Sequence, residues 1–220
     1  MSIKQLFVTI VLGLALSQAQ AVTVSTSTSS DAVMEDFSTL PTGESSFFDG
    51  NGVSVAEHFF GQTVNDPGGS GFETVSGSPS GPLALTTTNG GIWDIQGVAG
   101  LAGGSSGSDI GEGIVSFLFD YDIFSFGTLI GGTNGGSATF DFFARDGSII
   151  DSILFGVTNT DFTFSSSVAF AGVTMSNTDP AGIAYDNIRF AAASVPEASS
   201  MVLFGLGLLG MGFMRRRNYK

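Results

Sequence analysis

The sequence SATFDFFARDGSIIDSILFG, residues 137–156, decides the fold class of the chain. Apolar and polar side chains alternate over residues 137–145, which places Phe140 and Phe142 on one face of a predicted strand. Asp146 and Gly147 favour the positive backbone torsions of a tight turn, and residues 148–155 return as a second strand. The stretch therefore predicts an antiparallel β-hairpin with an apolar face.

Short apolar segments between turn residues recur on both sides of this hairpin. They lie at residues 32–37, 53–60, 71–75, 83–87, 91–95 and 113–121, with further strands after Phe124. We interpret residues 22–30 as a lead-in or an edge strand, and the Gly- and Ser-rich residues 100–113 as a loop. This pattern predicts one all-β domain, a single antiparallel β-sandwich over residues 22–194.

A second hairpin is predicted near the end of this domain. Residues 172–177 lead into the turn 178–182, which contains Asp179 and Pro180, and residues 183–190 return. Proline at the second position of a turn and glycine at its end are typical of β-turns. We therefore expect residues 172–177 and 183–190 to pair with each other.

The charge of this domain is strongly acidic. The 220 residues carry a formal net charge of −13, yet charged residues make up only 12% and the mean hydropathy is +0.33, as in chains that bury a core. Residues 22–194 hold 19 acidic side chains and two basic ones, Arg145 and Arg189, which gives about −17. Such a field excludes nucleic acid as a partner. Cysteine is absent, so thiolate chemistry and disulfides are excluded as well.

The first 21 residues have the three parts of a secretory signal peptide. Lys4 precedes an apolar run at residues 6–16, and the small residues Ala19 and Ala21 stand where a signal peptidase needs them. A membrane anchor is the alternative, but the run is shorter than the roughly 20 apolar residues that span a bilayer. We expect signal peptidase to cut after Ala21.

The last 26 residues, 195–220, form a second tripartite signal. Val195, Pro196 and Glu197 precede an apolar stretch at residues 201–214, which is followed by three arginines, Arg215, Arg216 and Arg217. A helix over this stretch barely crosses the hydrocarbon, and the arginines are expected to stay on the cytoplasmic side as a stop-transfer signal. Such a short stretch suits a segment that is inserted into a membrane transiently and then removed. A plain anchor that is never cut is the alternative.

This order of motif, apolar span and arginine cluster resembles the PEP-CTERM sorting domain of Gram-negative bacteria. The usual second proline after the glutamate is replaced here by Ala198. The resemblance implies an exported protein that is processed by an exosortase-type membrane protease and then reaches the outer surface or the extracellular medium. The strand order, from an early Asp36-Phe37 segment to the closing AYDNIRF at 184–190, is similar to the jelly-roll domains often found in PEP-CTERM proteins.

Candidate catalytic residues are few. His58 is the single histidine and follows Glu57, but neighbours in a strand point to opposite faces, so we expect the two to be poorly placed as a pair. Nothing in the sequence brings Ser54 or another nucleophile to His58. We therefore expect no enzyme activity and no catalytic residues. A glycan-cleaving enzyme with two carboxylates about 5–10 Å apart is the lesser alternative.

Two ligand sites remain as alternatives. Asp120 and Asp122 lie on one face of a predicted strand, roughly 7 Å apart, and are weak candidates for a structural Ca²⁺ site, although no calcium motif is present. Trp93, the single tryptophan, is a candidate platform for a sugar ring, although a tryptophan among 21 phenylalanines is more often a core residue. The sequence thus predicts an exported, non-enzymatic surface or biofilm-matrix protein without a required cofactor. A lectin-like module that binds exopolysaccharide is the alternative.

Overall fold

The protein is all-β over every residue range that the computed structural model describes, and this confirms the all-β part of the predicted fold class. These ranges are residues 22–26, 33–35, 43–67, 71–88, 91–94, 100–104, 110–132 and 134–192. The predicted signal peptide with Ala19 and Ala21, and the predicted sorting segment at 195–220, lie outside them. Within the ranges there is no helix of the length and apolarity that crossing a bilayer requires.

Sixteen strands are present in the described part of the chain, and most are short. They are β1 Thr23–Ser25, β2 Val33–Glu35, β3 Gly43–Ser45, β4 Phe48–Asp49, β5 Val53–Ala56, β6 His58–Phe59, β7 Thr63–Asn65, β8 Thr74–Ser76, β9 Leu85–Thr86, β10 Gly91–Asp94, β11 Leu101–Gly104, β12 Val115–Gly131, β13 Ser137–Phe143, β14 Ile149–Gly156, β15 Thr160–Asn177 and β16 Ala184–Ala192. Twelve of them form one antiparallel sheet, while β6 pairs with β9 and β7 with β8.

The two long strands, β12 and β15, organise the large sheet because each changes partners along its length. Residues 115–119 of β12 lie between β15 and β5, whereas residues 123–131 lie between β15 and β16. The β12–β15 register shifts between Leu118 and Ile123, and this irregularity separates the two halves. In the same way β15 pairs with β13 over its second half and with β1 near its start. Because bulges bend strands, this irregularity is expected to change the direction of β12 and β15 at the same point along the sheet.

The core is formed mainly by phenylalanine rings from both halves of these strands. Phe164 of β15 lies 4.6 Å from Phe140 of β13 and 5.9 Å from Phe126 of β12, measured between ring centroids. Phe142 contacts the same ring at 5.4 Å, and all four side chains have no exposed surface. Fully burying a phenylalanine stabilises a fold by about 1.5–3 kcal/mol, so this cluster supplies much of the driving force.

The hairpin predicted from residues 137–156 is confirmed. β13 and β14 pair in antiparallel register from Ser137 with Gly156 to Phe143 with Ile149. Gly147 adopts a φ of 87°, a torsion that few residues other than glycine tolerate. Oδ1 of Asp146 accepts hydrogen bonds from the N–H and hydroxyl of Ser148. The hydroxyl bond, followed by the N–H bond, lowers the pKa of Asp146.

The prediction of a second hairpin, in which residues 172–177 pair with residues 183–190, is wrong. Residues 172–177 belong to β15 and residues 184–190 to β16, but the neighbours of β16 in the described chain are β12, β11 and β2. The second half of β12 lies between β15 and β16. A turn is present at residues 178–182, as predicted, but the two strands that it joins are not neighbours in the sheet. Local turn residues specify a reversal of the chain and do not specify the partner that receives it.

The predicted loop at residues 100–113 is also partly wrong, because it contains strand β11. Leu101 and Ala102 are fully buried, and Leu101 pairs with Tyr185 of β16. A Cβ atom at Gly103 would collide with the backbone of Gly113 and Ile114, so these glycines allow two backbones to approach closely. The predicted strand at 113–121, by contrast, is real but ends too early, since β12 continues to Gly131.

We predict that Phe164→Ala lowers the free energy of unfolding by about 3–5 kcal/mol, the range for truncating a buried phenylalanine. The substitution leaves a cavity where rings from β12, β13 and β15 meet. Urea denaturation of the purified protein measures it. Val168→Ala, at a side chain 40% exposed on the same strand, is the control and is expected to change stability by less than about 0.5 kcal/mol. Equal losses in the two variants would contradict the central role of Phe164.

Candidate functional site

His58 and Glu57 form a buried pair, contrary to the prediction that they point apart. Glu57 lies between β5 and β6 rather than inside a regular strand, so the alternation rule does not apply to it. Its Oε2 lies 3.2 Å from Nδ1 of His58, and the side chains are 1% and 3% exposed. The same Oε2 accepts the backbone N–H of Thr88 at 2.6 Å, and the Thr88 hydroxyl lies 3.4 Å from Nε2 of His58.

The hydroxyl of Thr88, the imidazole of His58 and the carboxylate of Glu57 thus follow one another in the order found in catalytic triads. However, the Thr88–His58 distance exceeds the roughly 2.6–3.2 Å of an activated nucleophile, and the hydroxyl of Ser54 is bonded instead to Asp49 at 2.9 Å. We interpret the three residues as a polar clamp that holds the end of β9 against the β5–β6 segment. Contacts of this kind satisfy the polar groups of buried side chains.

Of the two weak calcium candidates, Asp120 and Asp122, the second is held in an ion pair. Oδ1 of Asp122 is paired with Nε of Arg145 at 2.8 Å, and the other end of that guanidinium donates to the carbonyl of Phe119. Residues 120–122 are all exposed, because the irregularity in β12 interrupts the alternation on which the prediction relied. Across the described ranges, no group of three or more His, Cys, Asp or Glu side chains is arranged to hold a metal ion.

Trp93 lies on β10 between β11 and β3, with its side chain half-buried. Its neighbour Ile92 is fully buried, so Trp93 faces away from the core, contrary to the more common placement of a single tryptophan. The indole Nε1 donates to the carbonyl of Gly104 at 3.1 Å, which fixes the ring against β11.

Two acidic groups interact near this strand. Burial, and then the charge of Asp186, raise the pKa of Asp94 above its ordinary value. Asp186 is itself 7% exposed, and its Oδ1 accepts the N–H of Asn187, a residue with the left-handed φ of 49°. The pair therefore places two carboxylates within electrostatic reach on β10 and β16.

The carboxylate of Asp179 organises the connection between β15 and β16, and this role was missed in the sequence. Its two oxygens accept the backbone N–H groups of Asn134, Gly135, Gly136 and Ala181 at 2.9–3.2 Å, and the side chain is fully buried. The sequence predicts the turn that contains Asp179 and Pro180. Three of the four N–H donors lie in a loop 43–45 residues away, and no local pattern in the sequence indicates them. The arrangement is a structural staple between two loops.

Burial of Asp179 opposes its ionisation. The N–H groups of Gly136, Ala181, Asn134 and Gly135 outweigh that effect and keep the pKa of Asp179 below its ordinary value. Hydrogen bonds to the charged form lower a carboxyl pKa.

An open surface depression of about 640 Å³ lies beside the β13–β14 turn and is lined by Gly81, Pro82, Arg145 and Asp146. Trp93, His58 and the two calcium candidates do not line it. This depression therefore does not contain the residues that the sequence predicts as sites.

Comparison with known families identifies a signal at the end of the chain. The family model described as the PEP-CTERM protein-sorting motif matches residues 194–217. The chain carries a PEP-CTERM sorting motif. The match contains Val195, Pro196 and Glu197 and extends through Arg215, Arg216 and Arg217, so it covers the predicted motif and arginine cluster.

The PEP-CTERM motif supports an exported protein that is processed by an exosortase-type membrane protease. It covers residues 194–217 and does not extend over the described strands. No curated protein and no solved structure matches the chain.

We predict that Asp179→Asn lowers the free energy of unfolding at pH 7 by about 1.5–3 kcal/mol, the range for hydrogen bonds to a charged group. Because the folded pKa of Asp179 is depressed, its contribution is present above the unfolded pKa of about 3.9 and is lost as pH falls through the folded pKa. The difference between wild type and variant should therefore shrink below about pH 4.

Urea titrations at several pH values measure this difference. Asp120→Asn removes an exposed carboxylate and serves as the control, with an expected change below about 0.5 kcal/mol at every pH. A difference between wild type and Asp179→Asn that stays constant from pH 7 to pH 3 would show that the charge of Asp179 plays no part.

Proposed function

We propose that this chain is an exported, non-enzymatic protein of the cell surface or extracellular matrix, delivered by exosortase-type sorting. The observation that carries the proposal is the PEP-CTERM motif at residues 194–217. An N-terminal signal peptide cut after Ala21 by signal peptidase provides entry to the export route. The apolar stretch at 201–214 then holds the chain in the inner membrane until the motif is cut.

The body of the protein supports a structural role. Its polar constellations are engaged with the fold: Glu57 and His58 with Thr88, Asp122 with Arg145, and Asp179 with two loops. An acidic surface of about −17 over residues 22–194 keeps copies soluble and discourages binding to other anionic polymers.

We further infer that the twelve-stranded sheet closes on itself as a jelly-roll-like β-sandwich. Both long strands change partners at the irregularity in β12, and rings from their two halves pack on each other, as with Phe117 and Phe126 at 5.9 Å. Strands that pass from one layer to the next by way of a bulge are a known route to stacked sheets. Such a domain folds without disulfides, metals or cofactors.

The sorting proposal predicts different fates for variants of the tail. In the native host, the secreted wild type should have an intact mass that excludes residues 1–21 and residues 201–220, which comprise the apolar stretch and the arginine cluster. Glu197→Ala should keep its tail, so that the uncut form in the membrane fraction becomes the main species. Deletion of residues 195–220 should release the protein without a membrane-bound stage.

Two further variants serve as controls for that experiment. Ser200→Ala, outside the motif triplet, should behave as wild type, and Ala198→Pro, which restores the usual motif, should be cut at least as efficiently. Recovery of a wild-type protein that still carries residues 201–220 would overturn the proposal in favour of a plain anchor.

A second function, binding of an exopolysaccharide, is favoured by one observation: Trp93 faces outward with its ring fixed by Gly104. A fixed, half-exposed indole offers an apolar face to the CH groups of a pyranose ring.

If this second function holds, Trp93→Ala should weaken binding to a polysaccharide from the host matrix by about tenfold, since stacking on an aromatic side chain contributes roughly 0.5–1.5 kcal/mol beyond buried area. Affinity electrophoresis or a glycan array measures it. Phe60→Ala removes another aromatic side chain, 63% exposed, and should leave binding unchanged. Failure of the wild type to retain any glycan would exclude this function.

A further inference from the structure

The backbone nitrogen of Val22 is held by a carboxylate, although it belongs to an ordinary peptide group. It donates to Oδ2 of Asp151 on β14 at 2.7 Å. Val22 is 6% exposed and belongs to the main apolar core. The next residue, Thr23, begins β1 and pairs with Ser165 of β15, so this contact lies directly at the start of the sheet.

Asp151 occupies an unusual position for a charged side chain. It lies opposite the fully buried Phe142 in the β13–β14 ladder, and directly opposed residues point to the same face of a sheet. The next residues on that face of β14, Ile153 and Phe155, pack against the core. Asp151 is partly buried, and its Oδ1 accepts the N–H of Ser152 at 2.9 Å. A positive charge at its other oxygen stabilises a carboxylate that lies beside apolar side chains, because water screens the attraction less there than in bulk solvent.

The described domain offers few cations for this purpose. The two basic side chains of residues 22–194 are already committed, Arg145 to Asp122 at 2.8 Å and Arg189 to Asp161 at 2.7 Å. Hydrolysis of the Ala21–Val22 peptide bond would create a third cation, at the new N-terminus. It consumes one water, leaves a carboxylate on Ala21 and leaves an amine on Val22. That amine takes up a proton at neutral pH, since α-amino groups have pKa values of about 7.7–8.0.

We propose that Asp151 is the binding site for the α-ammonium group of Val22 that signal peptidase generates, so that removal of the leader completes an ion pair at the edge of the core. The position is specific to one cut, because moving the new terminus by one residue of extended chain shifts the charge by about 3.3 Å. The proposal rests on the signal peptide of the proposed function. It implies that the mature protein is more stable than its precursor.

The first experiment is a double-mutant cycle on the mature protein secreted by the host. Wild type and Asp151→Asn are each prepared with the native junction and with Gly-Ser inserted between Ala21 and Val22, which keeps the cleavage site but displaces the new amine. With the native junction, Asp151→Asn should lower the folded-to-unfolded ratio about tenfold, equal to about 1.4 kcal/mol. With the insertion, the same substitution should lower it less than about twofold.

Asp141→Asn is the matched control. Asp141 lies on the adjacent strand β13, opposite Ser152, and its substitution makes the same change in net charge. It should have the same effect with either junction. An Asp151→Asn effect that is equal for both junctions would overturn the ion pair while leaving export intact.

The second experiment needs no folded variant, because residues 22–194 contain no lysine. An amine-acetylating reagent therefore reacts in this domain with the α-amine alone, and peptide mass mapping separates it from Lys220. The α-amine of the native protein should react at least about tenfold more slowly than the same amine in urea, as expected for an ion-paired group at the core edge. Equal rates would overturn the proposal.

Intact mass distinguishes this proposal from the sorting proposal. A mature chain that does not begin at Val22 would overturn the ion pair, whereas loss of the C-terminal tail from that same chain would still support sorting.

Discussion

The rings of Phe126, Phe140 and Phe164 meet within 6.4 Å of one another at the level where β12 and β15 exchange partners. The described domain depends on this contact because the chain has no cysteine and therefore no disulfide to stabilise it. Apolar burial is the main favourable term in folding, and phenylalanine supplies the largest apolar area per residue among the abundant side chains. Polar contacts such as the Asp179 staple then determine where the loops lie on that core.

Electrostatics adds a second constraint, because 19 carboxylates share one domain with two arginines. The structure accommodates this imbalance in three ways. Some carboxylates stay exposed, as at Asp120, and some meet an arginine, as at Asp161 and Asp122. Others accept backbone N–H groups, as at Asp179 and Asp146, where the pKa is lowered. At Asp94, burial and then the charge of the nearby Asp186 raise the pKa. Backbone amides thus replace cationic side chains in much of the molecule.

The features predicted correctly from the sequence are those set by local patterns. Alternation and an Asp-Gly turn were enough for the β13–β14 hairpin, and an ordered tripartite signal was enough for the sorting motif. Features that depend on distant partners were missed. The partner of β16 is β12, which arrives from more than 50 residues away, and β11 looked like a loop because its glycines serve close backbone contact rather than a turn.

The candidate site illustrates the same limit at the level of side chains. The alternation rule separated Glu57 from His58, but the rule holds only inside a regular strand, and Glu57 lies in the break between β5 and β6. The ion pair between Asp122 and Arg145 was also invisible in the sequence, because it joins residues that are distant in sequence. The outward direction of Trp93 was equally invisible, because it follows from the burial of Ile92 and the position of β11.

The scarcity of basic side chains also determines where trypsin-like proteases can cut the domain. Trypsin-like proteases cut after lysine or arginine, and residues 22–194 offer them only Arg145 and Arg189. Arg189 is 9% exposed in the middle of β16, whereas Arg145 is 42% exposed beside a hairpin turn. Cleavage requires a chain segment that can enter the protease, and loop tips meet that requirement more readily than paired strands. A protease of this class therefore finds a single accessible bond in the folded domain, at the β13–β14 turn.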